Sequence, residues 1–176
     1  MIQGSLNKAS NDPAASAAAV DSLLAAKGAE NAGSLLTTAA AQVAESWARQ
    51  DLSQATAWAA RLPEGSAREA AVSTITSTWA RLDPVAASEW VQQMPAGDSR
   101  DAAAVNLSQT IVSTDPERAF VWASSIANES KREEAVRQVA GTWIWQDRVA
   151  ARTAIERAPI SENVRTALLE QLDKRD

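Results

Sequence analysis

Arginines at a fixed interval are the residues here whose type and spacing could do chemistry. Arg68, Arg100 and Arg132 are evenly spaced along the chain, and Arg165 continues the series one residue late. A row of guanidinium groups could grip an acidic peptide, since each offers five donors in a planar fork. Yet each lies three and four residues ahead of an apolar stripe, on the inward side of its helix. A first-turn arginine also opposes the helix dipole, so its recurrence needs a cause. Packing of the stem along the core edge, with the guanidinium on loop carbonyls, a capping Asp or a Trp face, supplies one. Regular repeat positions favour that stacking role. Arg68, Arg100 and Arg132 are kept as candidate partner contacts.

Catalytic constellations are harder to assemble. The chain holds no His and no Cys, which removes the familiar nucleophile–base pairs, thiolate metal sites and disulfides. Its four lysines, Lys8, Lys27, Lys131 and Lys174, sit in loops or near the ends, without a serine frame suited to a Ser-Lys dyad. Glu133 and Glu134 are consecutive, so they point to different helix faces and read as solvated charge. Asp98 and Asp101 flank a helix start, where capping suffices. No Gly-rich phosphate loop is present. The reading is of a protein that is not an enzyme, with no cofactor and no metal. A carboxylate-based enzyme would need two acids facing each other across a cleft, one of them strongly perturbed.

The 176 residues carry a formal charge of −5 and a pI near 4.9, which argues against nucleic acid as a partner. No window approaches the length of apolar chain needed for a membrane span. The Ala-rich stretch from Pro13 to Ala26 lacks a basic flank and carries Asp21, so it makes a poor signal peptide. A cytoplasmic protein is expected from the sequence as it stands, although a mature exported fragment would have the same composition.

What must position these residues is a repeat. Asp51, Asp83, Asp115 and Asp147 keep the same constant interval as the arginines, and Ala55, Ala87 and Ala119 follow in register. So do Trp58, Trp90 and Trp122, then Leu62, Met94 and Ile126, then Ile75, Leu107 and Val139. Trp79, Ile111 and Trp143 close the unit. Asp-Pro at 83–84 and 115–116 sets a capping carboxylate before a proline at the first helical position. Apolar residues then recur with helical spacing, as in Ala87, Trp90, Val91 and Met94. Pro63-Glu64-Gly65 and Pro95-Ala96-Gly97 supply turns, and a second helix is predicted from about Ser66 to Arg81. Alanine, the commonest residue of the chain, lets such helices approach closely.

The expected fold is all-α: one α-α superhelical (solenoid) domain of about five hairpins, near 12–49, 51–81, 83–113, 115–145 and 147–173. Residues 1–10 read as an unstructured or added end. The stretch from Ala80 to Trp90, with its Asp-Pro followed by Ala and Trp, resembles the junction between tetratricopeptide (TPR) repeats. The unit here is slightly shorter than theirs, its first helix ends early at Leu62-Pro63, and the usual Gly and Tyr positions are missing. The resemblance implies a right-handed superhelix with a groove for peptide or protein segments.

Where the copies differ, function is sought. Phe120 takes the slot of Thr56 and Ser88, and Trp145 that of Arg81 and Ser113, both off the apolar stripe. Two aromatics there could anchor a partner or a self-association contact, or pack on a last hairpin that has Ala154 in its Trp slot. A seven-residue insertion between Ala25 and Ser34 reads as a surface loop. The expected function is a non-catalytic protein- or peptide-binding scaffold, the alternative a self-associating spacer from a larger repeat protein.

Overall fold

The computed structural model describes residues 12–28 and 33–174, so the reading of residues 1–10 and most of the early insertion fall outside it. Among the described residues there are ten α-helices and no strand. They are α1 (Pro13–Lys27), α2 (Ser34–Gln50), α3 (Leu52–Arg61), α4 (Ser66–Leu82), α5 (Pro84–Gln93), α6 (Asp98–Ile111), α7 (Pro116–Ser124), α8 (Glu129–Trp143), α9 (Arg148–Arg157) and α10 (Glu162–Asp173).

The recurring aspartates begin the short helices. Asp83 accepts from the backbone N–H groups of Val85 and Ala86, Asp12 from those of Ala14 and Ala15. Asp51, Asp115 and Asp147 each accept from the N–H three residues on. Such a cap contributes about 1 kcal/mol to its helix. Proline ends three of them: Leu62, Met94 and Ala158 turn extended ahead of Pro63, Pro95 and Pro159, as a residue before proline must.

Long helices pack on one another in series, α2 on α4, α4 on α6, α6 on α8 and α8 on α10, and the short helices lie against the long ones before and after them. As a result α4 is covered all round: no residue from Ala67 to Ala80 is exposed. That burial explains its run of small side chains, because fully buried Ala71, and Ala103 in the same register of α6, let the helices approach closely. Hydroxyls caught inside are satisfied locally, Thr76 donating to the Val72 carbonyl and Ser108 to that of Val105. Neighbouring helices share aromatic pairs, Trp47 with Trp58 at 5.6 Å between ring centroids and Trp79 with Trp90 at 5.9 Å. The fully buried Trp58 also donates its indole N–H to Asp21, tying α3 to α1. No helix among the described residues is long and apolar enough to cross a membrane.

Candidate functional site

A cleft of about 240 Å³ opens between α3 and α5, over α4. Ala60 of α3, Val72 of α4, and Trp90, Met94 and Pro95 give it apolar walls. Thr56 and Gln93 add polar groups, and Arg68 is the one charged residue in its lining. The helical period puts Thr56 and Ala60 on one face of α3, while the early stop at Met94-Pro95 brings the end of α5 across from them. The volume falls below the roughly 300–1,000 Å³ of pockets for cofactors and drug-sized ligands, and suits one large side chain. No acidic residue lines it, so paired-carboxylate chemistry has no footing there.

The recurring arginines sit at the turns. Arg132 donates to the carbonyls of Ile126 and Ala127 before its own helix and, through Nε, to Pro159 of the following turn. Arg165 donates to Ala158 and Ile160 and pairs with Glu162. Arg100 reaches forward to the Ser125 carbonyl, and its guanidinium carbon lies 5.9 Å from the Trp122 ring centroid. Arg68 differs. It holds the Leu62 carbonyl at 3.4 Å and forms an ion pair with Glu64 at 2.8 Å, while its buried Nε, like that of Arg165, has no acceptor. Loop carbonyls, and for Arg100 a Trp face, thus take up part of these guanidinium groups.

Phe120 requires a correction. It is 5% exposed, and its ring meets Trp143 at 5.6 Å. The slot taken for a surface one is half-buried even where it holds Thr56 or Ser88. In the next hairpin the Trp slot holds Ala154, and the aromatic that meets Trp143 is Phe120. Trp145, by contrast, is 73% exposed, with Val149 exposed beside it in sequence. The two aromatics therefore form no common patch.

Two acids play parts other than those expected. Asp101, 3% exposed, caps no turn of its own helix; its carboxylate accepts the N–H groups of Ala127 and Asn128, at the start of α8. Glu133 is half-buried and accepts from the Ser161 N–H at the start of α10, so it is not simply solvated. Hydrogen bonding from Ser161, aided by Arg137 and Arg132 and opposed by burial, lowers its pKa. A signal for both was present in the sequence: Glu69, Asp101 and Glu133 recur in the repeat register, each directly after a recurring arginine. Among the described residues no group of His, Cys, Asp or Glu is arranged to hold a metal ion. Set against protein-family models, curated proteins and solved structures, the chain shows no match.

Proposed function

We propose that this chain is a non-catalytic scaffold that binds a protein or peptide segment, and that the cleft between α3 and α5 seats one of its apolar side chains. The observation that carries this reading is the cleft itself, apolar-walled and sized for a side chain. The exposed amide of Gln93 at its edge offers hydrogen bonds to a peptide backbone. The finer architecture belongs to the same reading: a right-handed, TPR-like array of five hairpins. It rests on the regular recurrence in the sequence and on long and short helices that alternate from α2 onward.

Selection of random displayed peptides on the immobilised protein tests it. Selected peptides should carry one recurrent large apolar residue, and Ala60→Trp, which plugs the cleft from an exposed position, should weaken them at least about tenfold with an unchanged melting temperature. Failure to select any peptide, or binders indifferent to Ala60→Trp, would refute the cleft as the seat.

A second reading, self-association as a spacer, is favoured by Trp145 and Val149, exposed by 73% and 79%. Exposed large apolar side chains, where they cluster, mark contact sites. Light scattering over a concentration series should then show a mass that rises with concentration in the parent and stays at 18.7 kDa in Trp145→Ala. A parent that remains at monomer mass throughout removes this reading.

A further inference from the structure

Within the cleft, Arg68 is held differently from its counterparts in later units. At the matching positions of later units the arginine crosses to the following turn: Arg100 to the Ser125 carbonyl and the Trp122 face, Arg132 to the Pro159 carbonyl. Arg68 does not cross. Its counterpart of the Trp122 ring is Trp90, which lines the cleft on the far side of the space that Arg68 also lines. The guanidinium is held back by Glu64 at 2.8 Å, and the other oxygen of that carboxylate is held at 2.8 Å by the hydroxyl of Ser99, a residue of α6 that is 2% exposed. Both members of this brace are particular to one junction. The Glu64 slot holds Ala96 and Asn128 in the next units, and the Ser99 slot holds Ala67 and Lys131.

We infer that Glu64, braced by Ser99, latches Arg68 away from Trp90 and so keeps the cleft open, and that release of the latch lets the guanidinium cross and close it. This rests on the reading of the cleft as a binding seat and adds its regulation. Release has a physical incentive. The crossed position offers the Trp90 face and the carbonyls of the 93–95 turn, the kinds of contact that Arg100 makes with Trp122 and Ser125. The latch is also weak against salt, since the Glu64 side chain is 61% exposed and such pairs are screened.

Methionine gives a direct readout. The chain has two, Met1 and Met94, and Met94 lines the cleft, so methyl labelling of methionine yields one signal beside the Trp90 ring. In Glu64→Ala that signal should shift, and a crystal structure should place the Arg68 guanidinium within about 6 Å of the Trp90 centroid. In the parent the same signal should move toward the variant's position as salt rises from about 0.1 M to about 1 M, while Glu64→Ala stays indifferent to salt. Ser99→Ala should move it part of the way. The reciprocal change, Ala96→Glu at an exposed position of the next unit, should draw Arg100 off Trp122. The inference is overturned if Met94 gives the same signal in parent and Glu64→Ala, or if Arg68 keeps its place on the Leu62 carbonyl in that variant. Because these readouts need no ligand, a failed peptide selection would count against the binding seat and leave the gate standing.

Discussion

Two successive helix contacts, α4 against α6 and α6 against α8, use the same slots and hold together differently. At the first, polar side chains pair with one another. Ser99 of α6 donates to Glu64, which pairs with Arg68 of α4, and Glu69 of α4 and Asp98 of α6 are joined through Lys131 of α8 at 3.6 and 3.5 Å. At the second, side chains take hold of backbone: Asp101 accepts two N–H groups and Arg100 donates to a carbonyl. One difference lies in the turn. Pro95 has no N–H to offer the acid at 69, whereas Ala127 in the same slot frees one for Asp101. The turns then diverge in backbone as well. Gly97 caps α6 at φ +154°, a region that side chains avoid, while Asn128 caps α8 from an extended conformation and Glu129 occupies the glycine's slot.

The largest effect is expected where the backbone grip is cut. Asp101→Ala leaves two N–H groups without their charged acceptor and should cost about 3 kcal/mol in urea unfolding. Glu69→Ala, which loses one partly exposed ion pair, should cost less than about 1 kcal/mol. Equal costs would erase the distinction between the two contacts. Gly97→Ala comes next. A Cβ there meets nothing within 4 Å, so the cost is conformational alone, about 1–3 kcal/mol. Glu129→Ala in the matching slot should be near neutral, and the pair of melting curves tests whether the turns really differ in backbone. Asn128→Ala removes the side-chain cap that accepts from Lys131 N–H and should cost about 1 kcal/mol.

The smallest effect lies at the third contact, α8 against α10, where Glu133 accepts from Ser161. Its pKa is lower in the folded chain than in the unfolded one. Its contribution is therefore present above the ordinary carboxylate value of about 4.3 and is lost as pH falls through the folded value. Melting temperatures of the parent and Glu133→Gln should differ by a constant amount near neutrality and converge in acid. A gap that stays the same down to low pH would show that the carboxylate's charge has no part in holding Ser161.

Much of the helical order was legible. Asp12-Pro13, Asp83-Pro84 and Asp115-Pro116 open helices as their chemistry requires, and the helix predicted over about 66–81 runs from Ser66 to Leu82. Local signals sufficed, because a cap and its helix are neighbours in the chain. What crossed from one unit to the next was not legible. Asp101 stands beside a helix start, yet its bonds run 26 and 27 residues onward. Phe120 occupies a slot that polar residues hold elsewhere, and the ring it meets, Trp143, comes from the next long helix. The cleft was hidden for the same reason, since Ala60, Arg68 and Met94 belong to three segments whose spacing says nothing of the gap between them.

The covering of α4 on every side bears on how the molecule comes apart. A helix with no exposed residue between 67 and 80 can release its amide protons only after the helices on both flanks have moved. Among the described helices, hydrogen exchange should therefore run as a gradient in time, fastest at α1 and α10, the first and last of them, and slowest in α4. The centre of the chain becomes a clock for the loss of its ends.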